Sequence, residues 1–153
     1  MITKAQIVPL LLGACPTAQR RWEEHLACWK GEEAGAFNDV SVFAHHIVDS
    51  YAKQLTAECA SLFAIVERIL EEGDEEARGI AATGVLEDIQ TLSTHHSFGP
   101  EVFVQWLGPK SREVWDQIEA LWRASGGSLA GVIRLERDAG AKRKWRQFWK
   151  RSV

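Results

Sequence analysis

The chain has 153 residues, of which 46% are hydrophobic and 25% are charged, and its formal net charge is −3. This composition is typical of one globular domain that buries a core without disulfides or metal, and the absence of any run of about 18 apolar residues argues against a membrane-spanning helix. The cysteines, Cys15, Cys28 and Cys59, are odd in number and lack CxxC spacing, which predicts a reducing, cytoplasmic compartment.

The charge is divided along the chain. Residues 1–133 contain 10 Lys/Arg and 19 Asp/Glu, a net charge of −9, whereas residues 134–153 contain 8 Lys/Arg and 2 Asp/Glu, a net charge of +6. Such asymmetry constrains the association partners and leaves the fold open.

Helical periodicity runs through nearly the whole chain and predicts an all-α fold. We expect an array of about seven to eight antiparallel helices, part bundle and part HEAT-like stack. The predicted helices cover about residues 4–12, 17–30, 38–55, 56–72, 74–94, 100–107 and 111–125, with a further helical segment after 128. Thr17, Asp74 and Ser111 are the expected N-caps of three of them.

Two interpretations of the N-terminus compete. Residues 12–15, LGAC, resemble a bacterial lipoprotein cleavage site, but Gln6 and Pro9 interrupt the apolar stretch and a basic leader region is almost missing. Thr3 and Gln6 instead fit a capping box that opens a helix. The pattern favours the structured helix.

The predicted domains are a helical domain over residues 1–125 and a basic, Trp-rich helical extension over residues 128–153, separated by Gly126-Gly127. Three functions compete for the extension. It folds back on the acidic body, binds nucleic acid through phosphates and stacking, or lies on an anionic membrane or in the groove of a partner. A single short basic patch on an acidic protein disfavours a dedicated nucleic-acid binder.

The acidic turn is the densest charge cluster of the predicted body and consists of Glu71, Glu72, Asp74, Glu75 and Glu76. Carboxylates at a helix N-terminus are stabilised by the helix dipole, whereas those at a helix C-terminus are not, so capping explains half of the cluster. The turn is either a solvated loop or a docking patch for a basic partner, which Glu67, Glu87 and Asp88 would extend.

Seven tryptophans are more than a chain of this size needs. Trp22, Leu26 and Trp29 recur at i, i+4 and i+7 and form one apolar stripe of the second predicted helix. Since tryptophan is a frequent energetic hot spot of interfaces, Trp22, Trp29 and Trp106 are candidate anchors for a partner.

The histidine pairs suggest a weak alternative chemistry. His45, His46 and Asp49 share helical spacing, and Glu87, Asp88 or His95 would complete a metal or acid–base site in a bundle. No HExxH motif, Gly-x-Ser-x-Gly elbow or phosphate-binding glycine loop accompanies them. We therefore predict no catalytic residues, no resident metal and no cofactor.

Several strings resemble one family of small, all-helical, largely uncharacterised bacterial proteins that includes immunity-like members of polymorphic toxin systems. The strings are ACP at 14–16, RWEEHL at 21–26, FAHHIVD at 43–49, EGDEEAR at 72–78, TGVLEDIQ at 83–90 and WLGPKSR at 106–112. The resemblance covers about residues 7–123. It implies a helical cytoplasmic protein that neutralises a toxin by direct binding, and it supplies no catalytic residues.

We therefore expect a non-enzymatic bacterial protein-binding protein, an immunity or inhibitor protein that neutralises a basic partner such as a toxin. The runner-up is a metal-assisted or His-based enzyme using His45, His46 and Asp49. A third hypothesis is a homodimeric helical scaffold that buries the extra tryptophans at a self-interface.

Overall fold

A computed structural model describes residues 1–125 of the chain. The chain divides into two compact units, Met1–Arg112 and Glu113–Val153. The predicted basic extension, residues 128–153, lies outside the described residues, so its three competing functions stay predictions.

Residues 1–125 form seven α-helices, which confirms the predicted all-α class and helix number. A π-helical segment, Ile80–Glu87, joins the fifth helix to the sixth without a break, and two 3-10 turns cover Pro16–Ala18 and Pro100–Trp106. The α-helices are α1 (Lys4–Ala14), α2 (Gln19–Trp29), α3 (Ala36–Ala52), α4 (Cys59–Glu72), α5 (Glu75–Gly79), α6 (Asp88–Ser93) and α7 (Pro109–Ala124).

The N-terminal segment is tied to the far end of α4. The Ile2 N–H donates to the Glu72 carbonyl at 2.9 Å, and the Asp74 N–H donates to the Ile2 carbonyl at 2.9 Å, forming an isolated parallel bridge. The Gln6 side chain accepts a hydrogen bond from the Thr3 N–H at 2.9 Å, as the predicted capping box requires. Residues about 70 positions apart are therefore joined through the backbone.

The core of the first unit is built around α3. Its buried face includes Val40, Phe43 and Ile47, and it packs mainly on the π-helical segment and α6. Gly84 permits this close approach, because a Cβ at that position would overlap Cγ2 of Val40. Helix α4 adds a fully buried stripe that includes Phe63.

The π-helical segment corrects the prediction of one regular α-helix from Asp74 to Thr94. Seven of its eight residues are buried, Thr83 being the exception. Glu87 is among the buried residues, so it does not extend an exposed docking patch. π-Helical turns are frequent at functional sites, but here the segment supplies packing surface for α3.

Two predicted caps are wrong for the same physical reason. The Thr17 side chain bonds to Glu58 and His46, and α2 begins two residues later at Gln19. Helix α7 begins at Pro109, which places Ser111 inside its first turn. There the Glu67 carboxylate accepts the Lys110 and Ser111 N–H groups, each at 2.7 Å. In both places a carboxylate more than 40 positions away binds the predicted cap residue. Glu67 thereby caps α7, whereas α2 begins without a side-chain cap.

The described part of the second unit consists of the α7 residues from Glu113 onward. Val114, Trp115 and Ile118 are its buried side chains, and their spacing places them on one face of the helix. Within residues 1–125, no helix is long and apolar enough to cross a lipid bilayer.

Candidate protein-binding site

Helix α2 differs from its neighbours because none of its residues is buried. Polar and aromatic contacts hold it on α3. The Arg21 guanidinium lies 2.6 Å from the Asp49 carboxylate, and Nε2 of His25 lies 2.8 Å from Oδ1 of Asp39. Trp22 stacks on Phe43 of α3, with their ring centroids 6.3 Å apart. Among residues 1–125, these side chains attach α2 to α3, and none of the α2 residues is buried.

A second polar cluster fixes the chain just before α2. Glu58 accepts hydrogen bonds from the Thr17 N–H and hydroxyl, and His46 Nε2 lies 3.0 Å from both the Thr17 hydroxyl oxygen and Glu58 Oε1. Partial burial acts to raise the pKa of Glu58, but the hydrogen bonds from Thr17 and His46 outweigh it and hold that pKa below its ordinary value.

Two thiols lie beside this cluster and are unreactive at neutral pH. Burial raises the pKa of the Cys15 thiol to about 12 and that of Cys59 to about 11, and the Glu58 carboxylate adds to both shifts. The third thiol, Cys28 on α2, is exposed. Only the exposed thiol is accessible to reagents at neutral pH.

The apolar groove is a cavity of about 410 Å³ between α1, α2 and the start of α3. Its floor is made of Ile7, Val40 and Ile80, which are each 1% exposed. These side chains belong to three separate elements, so the tertiary packing and not one helix creates the floor.

The stripe predicted on α2 forms a wall of this groove. Trp22, Leu26 and Trp29 all line it, yet Leu26 is 51% exposed and Trp29 is 38% exposed. Contiguous exposed apolar surface is one mark of a binding surface, and Leu26 and Trp29 contribute such surface to the same groove. We predict that whichever of Trp22 and Trp29 is exposed anchors a partner. Their positions on this wall are compatible with that prediction.

Carboxylates surround the mouth of the apolar groove. Glu32 and Glu33 lie on the loop after α2, and Asp39 lies in the first turn of α3. Lys4 of α1 is the cation at this edge. Its ammonium donates to Glu76 at 3.0 Å, and that hydrogen bond, together with the charges of Glu76 and Glu33, raises the pKa of Lys4. Lys4 thus links the apolar groove to the acidic turn.

Three of the five carboxylates of the acidic turn bind other groups of the protein. Asp74 caps α5 by accepting the Ala77 N–H at 2.8 Å, Glu72 pairs with Arg68 at 3.1 Å, and Glu76 pairs with Lys4. Glu71 and Glu75 are exposed, and neither forms an ion pair with another residue of the described range. Two of the five predicted rim charges are therefore fully available to a partner.

A second groove lies on the other side of α2 and has a volume of about 450 Å³. Arg21, His25, Ser41 and His45 line it together with the exposed Cys28. The Ser41 hydroxyl donates to Asp88 at 2.5 Å. Burial raises the pKa of Asp88, against the opposing effects of the Ser41 hydrogen bond and the nearby His45.

The alternative metal residues are not brought together. His46 bonds to Thr17 and Glu58, Asp49 pairs with Arg21, and His45 is exposed at the second groove. Residues 1–125 contain no group of three or more His, Cys, Asp or Glu side chains placed to hold a metal ion.

Trp106 lies apart from the other two candidate anchors. It stacks on Phe63 with ring centroids 6.4 Å apart and packs against Tyr51 and Phe103 at 6.3 and 6.2 Å. It lines neither groove, and its indole completes an aromatic cluster of the first unit.

Sequence reasoning missed Leu26, Glu32 and Glu33 as residues of a candidate site. The stripe that contains Leu26 was visible, but an apolar stripe does not show whether a neighbouring element covers it. The two glutamates follow that stripe directly in the chain, which is the signal that links them to it.

Within residues 1–125, these features define an all-helical domain in which the amphipathic helix α2 exposes apolar side chains beside a group of carboxylates. The chain belongs to the family described as Domain of unknown function (DUF7674), whose pattern matches residues 8–123. No curated protein and no solved structure matches the chain.

Proposed function

We propose that the protein is a non-enzymatic binding protein, an immunity or inhibitor protein of a bacterial cytoplasm that neutralises a basic partner such as a toxin by direct binding. The single observation that carries this proposal is the outer face of α2, where Leu26 and Trp29 stand exposed beside the acidic mouth of a groove. Hot spots of interfaces combine apolar anchors of this kind with a charged rim.

The charge of the described residues supports a cationic partner. Residues 1–125 hold 10 Lys/Arg against 19 Asp/Glu, and Glu71 and Glu75 keep their charges unpaired within that range. Complementary charge accelerates encounter and fixes register, while the apolar anchors slow dissociation. Such an inhibitor acts by covering the partner's active surface and needs no chemistry of its own.

The thiols support the proposed compartment. All three cysteines are free, and two are buried where no partner cysteine is bonded to them. Free thiols persist in reducing compartments, which supports the cytoplasm as the site of action.

The decisive experiment is neutralisation in a living cell. Each basic protein encoded next to the gene is expressed in a bacterial host, alone and together with this chain. We expect one of them to arrest growth alone and to be harmless in combination, with a stable complex recovered by size-exclusion chromatography. If none of these products arrests growth, or if the chain rescues none that does, the proposed function is wrong.

The rim charges are tested on the same complex. Glu71→Lys should lower the association rate constant severalfold at low salt and have little effect at high salt, since charges separated by more than about 10 Å are screened at 0.1 M ionic strength. Glu101→Lys, an exposed reversal on the Pro100–Trp106 turn, is the matched control. Equal effects of the two reversals would show that total charge and not the acidic turn steers the partner.

A further inference from the structure

We infer that the apolar groove between α1, α2 and the start of α3 binds a cationic amphipathic helix of a partner protein, which lies along the Trp22–Leu26–Trp29 face. This inference rests on the proposed function and deepens it, because it names the surface and the kind of segment that the surface accepts.

The groove reaches down to buried core residues. Ile7, Val40 and Ile80 form the buried apolar floor of the groove, whereas no residue of α2 is buried. Because these floor residues are each only 1% exposed, a bound side chain buries mainly the accessible apolar surface of Leu26 and Trp29 on the wall. A few such anchors carry most of the binding energy of an interface.

The wall of the groove has the shape of a ridge along α2. Trp22, Leu26 and Trp29 recur at i, i+4 and i+7, so they form one ridge parallel to the axis of α2. A second helix packs against such a ridge with its own apolar stripe at an interaxial distance of about 8–10 Å. Residues 1–125 contain no β-strand whose edge could instead accept an extended peptide.

The mouth of the groove is rich in carboxylates. Glu32 and Glu33 on the loop after α2, and Asp39 below them, place three carboxylates where the polar flank of a bound helix would lie. Asp39 is engaged by His25, and Lys4 is engaged by Glu76. The net charge of this edge therefore selects Lys or Arg on the partner and disfavours Asp or Glu.

The probe is a synthetic 18-residue amphipathic helix with leucine on one face and lysine on the others. Its control is the twin peptide in which every lysine is replaced by glutamate. Binding to the full-length protein is measured by fluorescence anisotropy of the labelled peptides. We expect the lysine peptide to bind at least tenfold more tightly than the glutamate twin in 50 mM salt, with this ratio shrinking in 300 mM salt.

Site-directed variants locate the binding. Leu26→Ser combined with Trp29→Ser should raise the dissociation constant of the lysine peptide at least tenfold. Leu55→Ser is the matched control, because Leu55 is 64% exposed yet lies outside the groove, and it should change the constant less than twofold. Glu32→Lys with Glu33→Lys, which keeps the apolar wall, should reduce the preference between the two peptides.

Three results would overturn the inference. The first is equal affinity for the two peptides, and the second is a dissociation constant of the lysine peptide that the Leu26→Ser/Trp29→Ser variant leaves unchanged. The third is a protein dimer, seen in sedimentation velocity, that the same variant dissociates. The last result would assign the face to a second copy of the chain. If the lysine peptide binds as expected but no neighbouring basic protein is neutralised, the groove is correctly assigned and the proposed function is wrong.

Discussion

The Glu67 carboxylate should be a main stabilising contact at the start of α7. One oxygen accepts the Lys110 N–H, and the other accepts the Ser111 N–H and the Ser111 hydroxyl, at 2.7, 2.7 and 2.6 Å. These backbone donors belong to the first turn of a helix, where no intrahelical partner exists for them. The negative charge also lies at the positive end of the helix dipole.

We expect Glu67→Ala to lower the free energy of unfolding by about 2–3 kcal/mol. Charge-assisted hydrogen bonds contribute about 1.5–3 kcal/mol each, but Glu67 is only half-buried, so water recovers part of the loss of three bonds. For a chain of this length the change corresponds to a fall in melting temperature of about 4–12 °C. Urea titration at pH 7 measures the free energy directly.

Glu71→Ala is the matched control, because Glu71 lies one turn further along α4, is exposed and makes no ion pair within residues 1–125. It should change stability by less than about 0.5 kcal/mol. Gly108→Ala supplies a second test, since its Cβ would lie 2.5 Å from the Glu67 Cδ and displace the carboxylate. Its cost should not add to that of Glu67→Ala. Equal stability of the Glu67 and Glu71 variants would refute the reasoning.

Three further predictions concern packing, pH and thiols. Gly84→Ala should destabilise the fold by about 1–3 kcal/mol through its clash with Val40, whereas Gly79→Ala, with open space around it, should stabilise by about 0.5–1 kcal/mol, as thermal unfolding will show. The lowered pKa of Glu58 adds stability that is present at neutral pH and lost as pH falls below about 4, so urea midpoints of Glu58→Gln and wild type should converge there. A maleimide should label one thiol rapidly at pH 7, and Cys28→Ser should abolish that labelling in intact-mass spectra.

The elements that sequence predicted best are those whose pattern is local. Helix α4 ends at Glu72 as expected, and Asp74 caps the next helix, since both depend on residues within one turn of each other. The capping box of α1 is of the same kind. Short-range hydrogen bonding and helical spacing carry this information in the chain itself.

The predictions that failed depend on residues far apart in the chain. Thr17 is drawn from its expected capping role by Glu58, and α7 receives its cap from Glu67, each more than 40 positions away. The π-helical segment reflects packing against α3, whereas hydrophobic periodicity alone predicts a regular helix. Long-range contacts of this type leave no local signature.

The candidate site was only partly predictable for a related reason. Periodicity places Trp22 and Trp29 on one face, but it does not show that the face is left open or that Ile80 lies beneath it. The acidic turn was found from composition, yet its pairing with Lys4 and its bridge to Ile2 required the tertiary structure.

Because α2 buries no residue, its outer positions contribute little to the folding free energy. Substitution of Leu26 or Trp29 should therefore cost little thermal stability. Under the function proposed above, it should also change what the protein recognises. In most proteins a new partner specificity must be balanced against the damage that it does to the core. In this chain the two requirements would fall on different side chains, so the proposed partner specificity could change by surface substitution while the helical framework stays the same.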